Sequence, residues 1–182
     1  MFVRFEEYDK NKHSDLLKVW SEDKGSRKNS LGNYKYFGLL NYYKDINELI
    51  DRHPSIETDE EILKNFVIFN EENKDVAIVI LDHVTYGKDG LTTLCVYFII
   101  VRPDEQSKGY GPSIMDKVIN DGEKLMGRRV DEIYASVDIA NFPSSSMMEK
   151  KGFKQVCNND NYNIYGLNLK KIREQEDEES EK

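Results

Sequence analysis

This 182-residue sequence predicts an α+β domain with a mixed, mostly antiparallel sheet of roughly six to seven strands flanked by about four helices. Three observations carry the expectation. Short strand-like runs follow one another through polar turns in the first half. One unbroken apolar run, Leu94 to Val101, leads straight into a glycine-punctuated turn that opens an amphipathic helix. After that helix an alternating strand, a short helix and a hairpin close the chain.

Phe2 to Tyr8 alternates and reads as a first strand, and Ser14 can cap a helix running through Trp20. Gly25 to Asn33 is a polar loop. Aromatic and apolar residues dominate Tyr34 to Ile50, which predicts one or two helices ending before Pro54. Thr58-Asp59-Glu60-Glu61 has capping-box spacing and predicts a short helical turn. Strands Phe66 to Phe69 and Val76 to His83 are joined by the polar stretch Asn70 to Asp75, and Gly87 to Gly90 turns the chain into the apolar run, giving an antiparallel meander. That run is rich in β-branched and aromatic residues, as a strand buried on both faces should be. Ile114, Met115, Val118, Ile119, Leu125 and Met126 then recur at helical spacing, with Asp116, Lys117, Asn120, Asp121, Glu123 and Lys124 on the other face. Ile133, Ala135, Val137 and Ile139 alternate as a strand. A helix from about Phe142 stops at Gly152, and Phe153 to Cys157 with Tyr162 to Leu169 form the closing hairpin.

Composition narrows the function classes. The formal charge of -8 argues against a nucleic-acid groove, which needs a basic excess. Half of that charge lies in Arg173 to Lys182, where six acids stand against two bases; this acidic tail, residues 173–182, is expected to be frayed or disordered, with continuation of a helix as the alternative. The start Met1-Phe2-Val3-Arg4-Phe5 shows no long apolar signal core, and no segment has the roughly 20 apolar residues of a membrane span, so a cytoplasmic protein is expected. Cys95 and Cys157 form no CxxC pair and no His stands at ligand spacing, so two core thiols are expected and no metal.

The turn after the apolar run has the character of an anion site. Its leading amides have no intrahelical acceptor and the helix dipole favours negative charge there. Gly109 and Gly111 let the main chain approach a ligand, and Pro112 gives up an N–H that the first helical turn does not use. Neither GxxxxGK[ST] nor GxGxxG is present; the string reads Gln-x-x-Gly-x-Gly from Gln106 to Gly111.

Here the chain resembles the GNAT superfamily of acetyl-CoA-dependent N-acetyltransferases, whose pyrophosphate signature is [Gln/Arg]-x-x-Gly-x-[Gly/Ala]. A second block, Asn141 to Phe153, looks like that family's Asn-x-x-[Ala/Ser]-x-x-Leu-Tyr-Glu-Lys-x-Gly-Phe. The resemblance covers roughly residues 65 to 157 and hardly touches the first 60. It implies one GNAT domain over residues 1–172, divided into an acceptor-side variable part (1–64), a CoA-binding core (65–157) and a closing strand (158–172). It also implies a sheet splayed between its two central strands. Acetyl-CoA is the implied cosubstrate, its diphosphate on Gln106, Ser107, Lys108, Gly109, Tyr110 and Gly111, with Ser113 inside the helix. The pantetheine arm would lie along Ile100 and Val101, and Asn141 falls on the family's cofactor-contacting asparagine.

Acetyl transfer needs a deprotonated amine, a polarised thioester carbonyl and a proton for the leaving thiolate. A backbone N–H near Val101 can serve the carbonyl. The general base of the histone-acetylating branch aligns with Cys95, and the tyrosine that protonates sulfur aligns with Met148, neither of which suits the task. Tyr97, on the same face as Cys95, is the catalytic candidate; Asp82, His83 and Asp138 read more readily as turn or surface residues. Tyr34, Tyr36, Phe37, Tyr42 and Tyr43 are pocket candidates for the acceptor. The leading expectation is an N-acetyltransferase for a small-molecule amine. Acetylation of a protein or peptide amine, and a degenerate CoA-binding module, stay open beside it, as does a homodimer.

Overall fold

The structure is a computed structural model and describes residues 1–22, 45–86 and 90–180. The expected polar loop from Gly25 to Asn33, the candidates Tyr34, Tyr36, Phe37, Tyr42 and Tyr43, and most of the Gly87 to Gly90 turn lie outside the described residues. Strands β1 (Arg4–Glu7), β2 (Ile56–Glu57), β3 (Glu61–Phe69), β4 (Asp75–Tyr86), β5 (Leu91–Val101), β6 (Glu132–Asp138), β7 (Lys154–Asn158) and β8 (Tyr162–Asn168) form one sheet. Its order is β1-β3-β4-β5-β6-β8-β7, with β2 paired to β3 beside that path. The helices are α1 (Lys10–Glu22), α2 (Ile46–Arg52), α3 (Tyr110–Met126), α4 (Phe142–Lys150) and α5 (Leu169–Ser180). No helix among the described residues is long and apolar enough to cross a membrane. Contacts divide the chain into two units, Met1–Ile56 with Leu63–Ile80 and Phe98–Ile114, and Glu57–Ile62 with Leu81–Tyr97 and Met115–Lys182.

In the first unit β1 pairs antiparallel with β3 from Arg4↔Phe69 to Glu7↔Phe66. Leu17 and Trp20 of α1 and Ile46, Leu49 and Ile50 of α2 pack with Leu63, Ile78, Ile80 and Ile100 of the strands, and each such side chain contributes roughly 1.5–3 kcal/mol by leaving water. Helix α1 begins earlier than expected. Asp9, not Ser14, is its cap: the Asp9 carboxylate accepts the Asn11 N–H at 2.9 Å, and the buried His13 ring accepts the Asp9 N–H at 2.9 Å. Asp45 caps α2 by accepting the Glu48 N–H at 2.9 Å. Asn70 shapes the β3–β4 turn as its side-chain oxygen takes the N–H groups of Glu72 at 3.0 Å and Lys74 at 2.9 Å.

In the second unit β5 and β6 are parallel, from Thr93↔Glu132 to Val96↔Ala135. β6 and β8 are antiparallel from Glu132↔Asn168 to Asp138↔Tyr162, and β7 adds to β8 with a bulge between Gln155 and Cys157. Ile133, Ala135 and Val137 are buried on one face of β6. Thr58 does not start a helix. Its N–H and hydroxyl close a tight connection to Glu61, with Thr58 N to Glu61 O at 2.9 Å and Glu61 N to Thr58 Oγ1 at 3.0 Å, so the capping-box pair joins β2 to β3 instead.

Two further expectations are corrected. β5 is not buried on both faces: Cys95 is half-buried and Tyr97 is 49% exposed, because only the Leu94 and Val96 side packs against the core. Cys157 is an exposed thiol, since every residue of the edge strand β7 faces solvent. In the acidic tail, residues 173–180 continue α5, the helical alternative that its sequence left open. Leu169 is buried, Leu169 and Lys170 donate to the Asp131 carbonyl at 2.8 and 3.0 Å, Asn168 caps the Lys171 N–H at 2.7 Å, and Arg173 pairs with Glu123 at 3.0 Å. The anchored first turn supplies the nucleus that a charged helix lacks in isolation.

Candidate functional site

β5 ends at Val101, and a short 3-10 turn over Pro103–Glu105 leads to α3. Ser107 with φ 63 and Gly109 with φ 92 both take left-handed conformations here. No acceptor among the described residues receives the backbone N–H groups of Ser107, Lys108, Gly109, Tyr110 or Gly111. Alternation of handedness between successive amides gathers N–H groups into a concavity suited to an anion, and the α3 dipole adds to it. A Cβ built at Gly109 meets only the Met1 Cε at 3.9 Å among the described residues, an ordinary contact with the far end of a flexible side chain.

An ionic chain running from buried to partly exposed groups holds this turn. The indole N–H of Trp20 donates to Asp75, whose carboxylate accepts from Arg102 Nη1 at 3.1 Å, and Arg102 Nε reaches Asp104 at 2.9 Å. Lys74 bridges Asp104 at 3.2 Å and the buried Glu105, and Lys108 reaches the same Glu105 at 3.0 Å. Burial pushes the Glu105 carboxyl up, but hydrogen bonds from Lys74 and Lys108 outweigh it and leave Glu105 below the usual carboxylate range. Asp104 is lowered in the same way, burial opposing and Lys74 and Arg102 prevailing. Lys74, Asp75, Arg102 and Asp104 carried no motif in the sequence. The only local signal was the alternation of opposite charges on either side of Pro103.

Several expected residues already have partners. The Gln106 amide donates to the Val101 carbonyl at 3.2 Å, tying strand to turn. The Ser113 hydroxyl donates to the Gly109 carbonyl at 3.1 Å, and the Tyr110 hydroxyl accepts from Asn70 at 3.2 Å. Lys108, expected to face phosphate, is paired with Glu105, its side chain still 53% exposed. Ile100 is a core side chain, leaving only its main chain to face a ligand. Asn141 caps α4, its side-chain oxygen accepting the Ser144 N–H at 3.2 Å, so its amide NH2 is the group left to donate.

In the second unit, Cys95 lies level with Tyr134 across the β5–β6 pairing. Burial, then the charge of Asp82, pushes the Cys95 thiol up to about 11, which disqualifies it as a base at neutral pH. Met148 is buried on α4 and packs as expected. His83 is fully buried with Nε2 2.7 Å from the Arg129 carbonyl, while its Nδ1 is sealed from solvent with no hydrogen-bond partner among the described residues, and Asp138 accepts the Ala140 N–H at 2.8 Å. Asp82, next to His83, shares that feature. Its Oδ1 is sealed from solvent and finds no hydrogen-bond partner among the described residues. The sequence carried one signal for it, a lone acid interrupting the run from Val76 to His83. Among the described residues no group of three or more His, Cys, Asp or Glu is placed to hold a metal ion.

The model of the acetyltransferase (GNAT) family matches residues 36–153, which reaches well into the N-terminal part that the two motifs left uncovered. No curated protein matches the chain. Among solved structures, a mutant spermidine/spermine N-acetyltransferase SpeG from Vibrio cholerae is 14% identical, with 96% of this chain and 98% of that one covered at a TM-score of 0.59. The N-acetyltransferase PseH from Campylobacter jejuni, in complex with acetyl coenzyme A, is 14% identical over 92% and 99% of the two chains at a TM-score of 0.56. The ribosomal-protein-S18-alanine N-acetyltransferase from Escherichia coli is 15% identical over 92% and 94% at a TM-score of 0.58. At such identities the neighbours speak for the fold, while the family match extends over more than half of the sequence and spans both motifs. The chain is therefore a member of the acetyltransferase (GNAT) family.

Proposed function

We propose that this protein binds acetyl-CoA through the turn from Gln106 to Gly111 and transfers the acetyl group to a primary amine of a small molecule. The observation that carries the reading is the set of amides from Ser107 to Gly111 left without acceptors among the described residues. Acetyl-CoA supplies the activated thioester. The chain's own contribution is binding and orientation: the turn's amides grip the diphosphate, the main chain of Ile100 and Val101 runs beside the pantetheine arm, and the Asn141 amide offers a donor. Lys108 is near enough to the turn to exchange its bond with Glu105 for a phosphate. The formal charge of -8 favours a cationic acceptor, and neighbours named for spermidine give that acceptor class a precedent.

Titration calorimetry tests the binding step with acetyl-CoA against S-acetylpantetheine, which lacks the diphosphate. Charge-assisted hydrogen bonds are worth about 1.5–3 kcal/mol each, so losing two weakens binding by roughly 100-fold or more. Equal affinities remove the turn from the reading. Thiol release across small amines and peptide N-termini then assigns the acceptor class, and release with peptides alone replaces the small-molecule acceptor.

A further inference from the structure

We infer that Asp82 is the proton-accepting residue of the acetyl transfer, taking the place on β4 that Cys95 cannot fill on β5. This rests on the acetyl-transfer reading and adds to it the group that deprotonates the acceptor.

The chemistry sets the requirement. A primary amine is an ammonium ion at neutral pH and cannot attack until it gives up a proton, and the acceptor of that proton must lie within hydrogen-bond reach. Cys95, with its thiol pushed up to about 11, is not ionised at that pH. Tyr97 is a phenol and can donate to a leaving sulfur, but it is no base in its ordinary form. Asp82 stands close enough to Cys95 for its charge to act on that thiol, and it belongs to the same unit as Tyr97.

Geometry singles it out. β4 is buried without interruption from Val76 to Leu81, and Asp82 follows as a partly exposed carboxyl. One of its oxygens is sealed and has no partner among the described residues, in contrast to Asp75, Glu105 and Asp131, whose carboxylates are met by cations, hydroxyls or amides. A carboxylate oxygen kept without a donor disfavours the charged form and favours uptake of a proton. Among the described residues the titratable groups that act on it are Glu61 on β3, His83 beside it on β4 and the neutral Cys95 thiol on β5. Burial first, then Glu61, raises the Asp82 carboxyl above the usual range, with His83 opposing, which moves it toward the operating pH that a base needs.

The acceptor ammonium gives one proton to Asp82. The neutral nitrogen forms a bond to the acetyl carbon as the carbon–sulfur bond breaks, the second nitrogen proton goes to the departing sulfur, and Asp82 returns its proton to solvent.

The test measures thiol release from acetyl-CoA with whichever of spermidine, an amino sugar or an alanine-initiated peptide the parent uses fastest, comparing parent, Asp82→Asn and Asp82→Glu between pH 6 and 9. Removal of a general base lowers kcat by about 100-fold or more. Asp82→Asn is expected to do so with KM for the amine changed less than about threefold, and to lose the acidic limb of the kcat profile; Asp82→Glu regains part of the rate. The Asn variant should melt at or above the parent temperature at pH 8, because a buried charge has gone, and should keep its thermal response to acetyl-CoA. An unchanged kcat, a rise in KM alone, or a lower melting temperature in the Asn variant overturns the assignment while leaving acetyl transfer intact. A parent that binds acetyl-CoA but releases no thiol with any of the three amines overturns both.

Discussion

Replacing Gly109 by Trp separates backbone strain from ligand contact, provided it is measured beside Gly127→Trp. Both glycines are exposed and hold positive φ, 92 and 72, and a Cβ meets nothing within 4 Å at Gly127 and only the Met1 Cε at 3.9 Å at Gly109. Forcing a side chain into that region costs about 1–3 kcal/mol at either site, which at this chain length lowers the melting temperature by roughly 3–10 °C. The two variants therefore lose similar stability without ligand. With acetyl-CoA at 100 times the parent dissociation constant, binding stabilises the parent by about 2.7 kcal/mol, or roughly 5–11 °C. Gly127→Trp keeps that response. In Gly109→Trp the indole stands over the amides of the turn, and loss of two charge-assisted hydrogen bonds weakens affinity by roughly 100-fold, reducing the ligand response to about 1 °C. Differential scanning fluorimetry with and without acetyl-CoA reads both quantities. Equal responses in the two variants would refute the assignment of the phosphate path to this turn.

Other consequences follow from the buried charges and the thiols. Asp75→Ala leaves the Arg102 guanidinium without its main partner and the Trp20 indole without an acceptor; a loss of about 3–5 kcal/mol in urea unfolding is expected, whereas a loss near zero would show that the ionic chain does not hold the turn. Hydrogen bonds from Lys12 and then Arg4 lower the Glu6 carboxyl to about 2, so its stabilisation is complete above the ordinary carboxylate value and disappears as pH falls toward 2. Glu6→Gln should flatten that part of the acid-unfolding profile and leave stability above pH 6 independent of pH from this source. Iodoacetamide at pH 7.5 should place one adduct, on the exposed Cys157, while Cys95 stays unmodified; peptide mass spectrometry reporting Cys95 first would contradict its raised thiol.

Much of the architecture was legible in the sequence because it depends on short-range patterns. The β5 run into Gln106 to Gly111, the spacing along α3, the alternation of β6 and the stop of α4 at Gly152 are local, and the structure reproduces each of them. Where local chemistry allowed two outcomes, the sequence alone misled. Thr58 and Glu61 suit a helix cap and a hairpin connection equally well, and strand pairing chose the second. Ser14 and Asp9 are both good caps, and the bond from the Asp9 amide to the buried His13 ring decided for Asp9.

The sequence by itself determined that a strand, a turn of bared amides and a helix stand in succession, since glycine, proline and apolar spacing act within a few residues of themselves. Only the tertiary structure decided which charges meet. Asp75 finds Arg102 across 27 positions and Trp20 across 55, while Asp82 finds no partner for its sealed oxygen among the described residues. Whether a carboxylate is satisfied or left waiting depends on groups brought to it by distant segments, and on how much water the packing removes around it.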